Sequence, residues 1–171
     1  MTSCKATTMS VPLLELSPAL WEATLAHLRL QGAGVRESGG FLLGRVQRDL
    51  RVATHFLPYE LLQRDALQAD FVHLSAASFG RLWDYCAAHD LDVVADVHTH
   101  RYGAGQSRSD SENPMLAIAG HLALIVPNFA QGSVHLEEVG LYLYQGAHRW
   151  QRFRGPPVTT LITFAAAEDN P

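Results

Sequence analysis

The chain has 171 residues, 47% of them hydrophobic and 18% charged, a balance typical of one soluble domain with a buried core. Its formal net charge is −4 and no run of lysine and arginine occurs, so the composition gives no support to nucleic acid as a partner. No apolar run reaches the roughly 20 residues needed to cross a bilayer, and the N-terminus lacks a signal-peptide core, so we expect a cytoplasmic protein without membrane association.

The N-terminal part of the sequence predicts a helix followed by two strands. Residues 1–10 are expected to be disordered. Apolar residues from Ala19 to Leu30 recur at helical spacing after Pro18, with Ser17 as the N-cap and Gly32 as the stop. The two strands that follow are predicted near residues 39–47 and 51–58.

The middle of the chain predicts a long connection, a helix and a buried strand. Residues 59–73 show no clear period and are interpreted as the connection. Ser75 is expected to cap a helix near 76–89. Residues 91–99 are rich in β-branched residues, which indicates a buried strand. A Gly- and Ser-rich loop then runs from Tyr102 to Ser109.

The C-terminal part predicts a helix start and three more strands. The segment Asp110–Asn113 resembles the beginning of a helix. The pair Pro156–Pro157 marks the end of the core, so we place one domain at residues 11–155 and a C-terminal tail at 156–171. Within that tail, residues 158–167 are apolar enough to dock as a last element. The strands are predicted near residues 121–127, 135–145 and 147–153.

Two histidines at the end of the buried strand suggest a metal site. Side chains alternate across a strand, so His98 and His100 leave the same face and are spaced to share an ion. Asp110 lies across the flexible loop, which can return its carboxylate to the same metal. Two imidazoles and a carboxylate suit Zn²⁺. They leave the fourth tetrahedral position to water, as in a catalytic zinc site.

At these residues the chain resembles the JAMM (JAB/MPN+) zinc metallopeptidases. The family pattern is a Glu ahead of a strand, then His-x-His, a loop, and Ser-x-x-Asp. The resemblance extends from about Leu20 to Trp150 and is closest to the compact bacterial JAB-domain proteins that accompany ubiquitin-like modifiers. The residues that match the pattern are Glu37, His98, His100, Ser107 and Asp110.

The resemblance implies a fold and a set of roles. The fold would be α/β, a single JAMM/MPN (cytidine-deaminase-like) domain with a mixed, curved sheet flanked by helices. Zn²⁺ would be held by the two histidines and Asp110, and Glu37 would act as general base on the zinc-bound water. Ser107 would donate a hydrogen bond to the oxyanion, with Ser109 as the alternative donor. The other interpretation of Glu37 is a solvated turn acid or a partner for Arg36.

The resemblance also implies a substrate class. The activity would be that of an isopeptidase or peptidase which hydrolyses the bond after the C-terminus of a ubiquitin-like protein, in precursor maturation or deconjugation. The partners would be that modifier or its conjugate and an associated activating or conjugating enzyme, in a setting such as antiphage defence. The family pattern has proline at two loop positions where this chain has Arg101 and Gln106.

Two other functions stay open from the sequence. One is a JAMM hydrolase for a small molecule, or for an amino acid attached to a sulfur-carrier protein. The other is a non-catalytic MPN scaffold, although such scaffolds usually lose ligands that this chain keeps. The connection 59–73 is either a substrate-binding loop or a surface excursion.

Other histidine, tryptophan and cysteine residues have expected places in the fold. His121 begins a predicted strand near the site and is either a residue that orients a ligand or a satisfied core histidine. Trp83 and Trp150 are expected in the core. Cys86 is expected to be a buried thiol, and Cys4 to lie in the frayed terminus.

Overall fold

The structure is a computed structural model that describes residues 12–68 and 71–166. The predicted disorder of residues 1–10 and the position of Cys4 lie outside these ranges. The strands are β1 (Leu14–Leu16), β2 (Gly39–Gln47), β3 (Leu50–Pro58), β4 (Asp92–Thr99), β5 (Leu122–Val126), β6 (Gly140–Tyr144), β7 (Trp150–Phe153) and β8 (Ile162–Phe164). The helices are α1 (Pro18–Gly32), α2 (Tyr59–Leu62), α3 (Ala76–His89), α4 (Arg108–Glu112) and α5 (Pro156–Leu161).

The strands form one mixed, curved sheet flanked by helices, as the α/β prediction required. Within the described ranges their order is β7-β6-β5-β4-β2-β3-β1-β8. β4 lies inside the sheet, antiparallel to β2 and parallel to β5. None of the helices in the described ranges combines the length and hydrophobicity that crossing a bilayer requires.

The two long helices begin where the sequence predicts. The hydroxyl of Ser17 accepts a hydrogen bond from the Leu20 amide at 3.1 Å, and that of Ser75 accepts one from the Ser78 amide at 3.3 Å. Both bonds satisfy amides that have no partner inside the helix. At its other end α1 includes Gly32, and the left-handed residue that closes it is Ala33.

The connection 59–73 is more ordered than its sequence pattern predicts. It begins with α2 and contains an antiparallel bridge between Leu67 and Val72. Tyr59 and Leu62 are buried in a cluster with residues of β2 and α3. Tertiary burial therefore organises a segment whose local sequence shows no period.

Helix α3 separates the two predicted core residues Trp83 and Cys86. Cys86 is buried, and burial raises the pKa of its thiol. Trp83 is 44% exposed, so its assignment to the core was wrong. Leu82 and Cys86 belong to the buried cluster that packs α3 on the sheet, and Trp83 lies outside that cluster. Trp150 is half-buried, and its indole donates to the Ser111 carbonyl at 3.1 Å.

The C-terminal elements differ from the predicted ones. The strand predicted at 135–145 is confined to β6, because residues 136–138 form a 3₁₀ turn. Residues assigned to the tail from 156 onward form α5 and β8, and their side chains Val158 and Leu161 are buried in the main core. β8 pairs with β1 at the sheet edge. Each of these two strands has only three residues, too few for a readable alternation.

Candidate metal centre

The end of β4 sends alternate side chains to opposite faces of the sheet. Val97 and Thr99 are fully buried, and Val97 packs in the main core. Asp96, His98 and His100 occupy the other face. The two imidazoles converge there, with 3.0 Å between the Nε2 atoms of His98 and His100.

The loop after β4 returns Asp110 to these imidazoles. Its Oδ1 lies 3.6 Å from Nε2 of His98, and its Oδ2 lies 3.2 Å from Nε2 of His100. The predicted helix start at Asp110 is shifted, because α4 begins at Arg108 and Ser107 is its N-cap. The Ser107 amide donates to Asp110 Oδ2 at 2.7 Å, and the Asp110 amide donates to Ser107 Oγ at 3.1 Å. This capping box fixes the carboxylate toward the histidines.

The three side chains fit a small divalent metal. Zinc bonds of about 2.0–2.1 Å in a tetrahedron place neighbouring ligand atoms roughly 3.3–3.4 Å apart. The Nε2 atoms of the two histidines are 3.0 Å apart, and they lie 3.6 Å from Oδ1 and 3.2 Å from Oδ2 of Asp110, distances close to that spacing. His98, His100 and Asp110 therefore form a group that can hold a metal ion.

The charges around the site favour an ionised carboxylate. Burial alone would raise the pKa of Asp110, but the neighbouring His100 and His98 and the hydrogen bonds from Ser107 hold that pKa well below its ordinary value. Burial alone would lower the pKa of His98, but the surrounding carboxylates, Asp96 foremost, raise it above its ordinary value. A cation bound at this site would compensate the concentrated negative charge of these carboxylates.

Glu37 reaches the site from the segment before β2. Its Oε1 lies 3.9 Å from Nε2 of His100, and its side chain is largely buried. The next residue anchors this segment: the Ser38 amide donates to Thr99 Oγ1 at 3.0 Å, and the Ser38 hydroxyl donates to the Leu28 carbonyl at 2.8 Å. Glu37 is thus held beside the two histidines without belonging to the three-residue group.

A cavity of about 380 Å³ opens over these residues. Ser107 and Ser109 line it together with the candidate ligands. Ser107 Oγ accepts the hydrogen bond from the Asp110 amide, and its hydroxyl hydrogen can be donated into the cavity. The connection 59–73 contributes Phe71 to the cavity wall, and the loop after β4 contributes Arg101 and Tyr102.

Asp96 was not among the functional residues predicted from the sequence. Asp96 is 2% exposed, and its Oδ1 lies 2.6 Å from Nε2 of His121, which is also buried. Its Oδ2 lies 3.7 Å from Nδ1 of His98. His121 is a satisfied core histidine, and Asp96 separates it from the candidate ligand His98. The sequence signal that could have identified Asp96 was an acidic residue within a strand of β-branched residues.

Comparisons with known proteins agree with this geometry at a coarse level. No protein-family model matches the chain. The chain is 28% identical over 146 residues to a protein of Sinorhizobium fredii named "Probable metalloprotease y4jG", a match that covers 82% of this chain and 87% of that protein. This similarity weakly suggests a metalloprotease-like family.

Two solved structures resemble the fold. Protein DSY2949 from Desulfitobacterium hafniense superposes with a TM-score of 0.64 at 18% identity, covering 91% of this chain and 95% of that one. A protein from Salinibacter ruber superposes with a TM-score of 0.53 at 17% identity, covering 90% and 93%. At these identities the likeness concerns the arrangement of the mixed α/β domain alone.

Proposed function

We propose that this protein is a zinc-dependent peptidase of the JAMM type. One observation carries the proposal: two imidazoles and a carboxylate converge at the end of β4, and a second carboxylate, that of Glu37, stands 3.9 Å from one of them inside a cavity. A zinc ion held by His98, His100 and Asp110 would supply an acidified water and a Lewis acid for the scissile carbonyl.

Glu37 would move the proton in this reaction. Its Oε1 would accept the proton of the attacking water and return it to the leaving amine. A base needs to lie beside the ligands without being consumed as one of them, and Glu37 meets both conditions. Its anchored neighbour Ser38 limits how far the carboxylate can drift from the site.

Ser107 would donate a hydrogen bond to the oxyanion of the tetrahedral intermediate. A preorganised contact of this type contributes about 3 kcal/mol to the transition state. Its position is fixed by the capping box, so the hydroxyl needs no reorganisation during the reaction. Ser109 also faces the cavity and is the alternative donor.

The substrate we propose is the extended C-terminal tail of a ubiquitin-like protein, cleaved in precursor maturation or deconjugation. Two exposed aromatic residues support an extended ligand, since Phe71 and Tyr102 border the cavity from its two flanking segments. A peptide bond alone gives little selectivity, so the folded body of the modifier would contribute the remaining contacts. An activating or conjugating enzyme would be the accompanying partner.

A smaller substrate is the second candidate. Arg101 lines the cavity where the JAMM pattern has proline, and a guanidinium suits the free carboxylate of a single amino acid. The cavity volume of about 380 Å³ also falls in the range of small-molecule sites, roughly 300–1,000 Å³. An amino acid attached to a sulfur-carrier protein would meet both features. A non-catalytic scaffold is not favoured, because all three candidate ligands are present and lie close together.

The deciding experiment compares an intact modifier with its isolated tail. The zinc-loaded protein is incubated with a ubiquitin-like protein that carries a C-terminal extension, with a peptide of the same tail, and with a single-residue adduct. Cleavage of the intact fusion alone supports the modifier substrate. Equal specific activity on fusion and peptide, or activity on the adduct alone, supports the smaller substrate. The Glu37→Gln variant is the matched inactive control.

A further inference from the structure

A buried acid connects His121 to the candidate ligand His98. Asp96 lies between them, 2.6 Å from one imidazole and 3.7 Å from the other, measured from its two carboxylate oxygens. Asp96 and His121 are 2% and 6% exposed. A buried acid is costly unless its oxygens are satisfied, so its retention between two imidazoles calls for an explanation.

The two nitrogens of His98 face opposite requirements. Nε2 points to the ligand group, 3.0 Å from His100 and 3.6 Å from Asp110. A metal ligand must present a lone pair there. Nδ1 lies 3.7 Å from Asp96 Oδ2, longer than a hydrogen bond but close enough for the charge of the carboxylate to act on it. An ionised carboxylate has no proton to donate, so it favours an N–H at this nitrogen. A neutral imidazole carries one proton, and the carboxylate draws that proton to Nδ1.

We infer that Asp96 is a positioning residue for the metal centre. Held by His121, it keeps His98 in the tautomer protonated at Nδ1 and turns the Nε2 lone pair toward Asp110 and His100. Partners of this kind typically change metal affinity by ~10–100-fold. The inference rests on the proposed metal site for its consequence, but the tautomer itself exists without metal.

The contact with His121 predicts how an asparagine at position 96 would orient its amide. An asparagine at position 96 has one acceptor oxygen, and the 2.6 Å contact with His121 is the closer of the two. The amide NH₂ would then face His98 Nδ1, where it donates instead of accepting. Asp96→Asn should therefore reverse the tautomer of His98 and move the proton to Nε2, the atom a metal needs.

The experiment measures the tautomer and the zinc affinity separately. Long-range ¹H–¹⁵N correlation spectra of ¹⁵N-histidine protein, metal-free and at alkaline pH, assign the proton of His98. Zinc affinity is measured by competition with a chelator. We expect Nδ1–H in the wild type and Nε2–H in Asp96→Asn, with ~10–100-fold weaker zinc binding in the variant. Asp92→Asn, the same change at an exposed position of β4, should alter neither.

Three results would overturn the inference. The first is an Nε2–H tautomer in the wild type, which needs no variant to fold. The second is unchanged zinc affinity and tautomer in Asp96→Asn. The third is an equal loss of affinity in Leu25→Ala, a destabilised core variant in α1 whose side chain lies outside the ligand group. A wild type that binds no zinc would refute the proposed function, while the tautomer would still decide the role of Asp96.

Discussion

Ser38 and Thr99 are joined by reciprocal hydrogen bonds between the segment before β2 and the end of β4. The Thr99 amide donates to the Ser38 carbonyl at 2.9 Å, and the Ser38 amide donates to Thr99 Oγ1 at 3.0 Å. Each residue is fully buried and adjoins a functional candidate, Glu37 on one side and the two histidines on the other. The distance from the proposed base to the proposed ligands is therefore set by this pair.

Thr99→Val should lower the stability of the fold and the rate of turnover while zinc binding is retained. The change keeps the shape of the side chain but removes the acceptor of the buried Ser38 amide, at a cost of about 1–3 kcal/mol. We expect lower stability in urea, retained zinc, and turnover reduced because Glu37 is less well held. Thr54→Val on the exposed part of β3 is the control and should affect none of them. Unchanged turnover with the stability loss would mean that Glu37 is positioned by other contacts.

Zinc stoichiometry tests the ligand set directly. The wild type should bind one zinc per chain, and a His98→Ala, His100→Ala double variant should bind none, because two of three converging ligands are gone. A matched double variant, His55→Ala with His148→Ala, removes two exposed histidines and should retain the metal. Elemental analysis after gel filtration gives the ratios. Equal zinc in the two double variants would contradict the assignment.

Glu37→Gln should keep fold and zinc while most activity is lost. The amide is similar in size to the carboxylate but cannot accept the proton of water. Loss of a general base typically costs ~10²–10⁴-fold in rate. The measurement is turnover on the cleavable fusion, with zinc content and circular dichroism as controls. Near-normal turnover would remove Glu37 from the mechanism.

Ser107 is the N-cap of α4 and also the proposed oxyanion donor, and one substitution would confuse the two roles. Ser107→Ala removes both the proposed oxyanion donor and the N-cap that holds Asp110, the latter at about 1 kcal/mol. Ser107→Gly removes the same hydroxyl but costs only a few tenths of a kcal/mol as a cap. An oxyanion role predicts a similar loss of turnover in both variants, up to ~10²–10³-fold. A loss in Ala alone, together with weaker zinc binding, would assign Ser107 to positioning Asp110.

Features encoded by local pattern were predicted well from the sequence. α1 and α3 begin at serine caps, and β4 shows a β-branched run that ends at the two histidines. Features created by tertiary contact were not. β1 forms because it pairs with β3, and β8 forms because it pairs with β1. The partnership of Asp96 and His121 joins residues 25 positions apart through neighbouring strands.

Gly39 lies opposite His98 in the pairing of β2 with β4, at a point of close approach. A Cβ there would lie 2.5 Å from the Tyr59 ring, 2.6 Å from the Val97 carbonyl oxygen and 2.9 Å from His98 Cβ. Two of these contacts are on β4 itself, so the strand that carries the ligands would have to move. Gly39→Ala should therefore lower the free energy of unfolding by about 1–3 kcal/mol, and it should also weaken zinc binding.

Gly80→Ala is the matched control for this prediction. Gly80 lies in α3 with nothing within 4 Å of a Cβ, so alanine should stabilise the helix by up to about 1 kcal/mol and leave zinc affinity unchanged. Urea unfolding and chelator competition on both variants give the comparison. If Gly39→Ala bound zinc as tightly as the wild type, β4 would tolerate the displacement. The close packing of Tyr59 and Gly39 would then serve the core and not the metal centre.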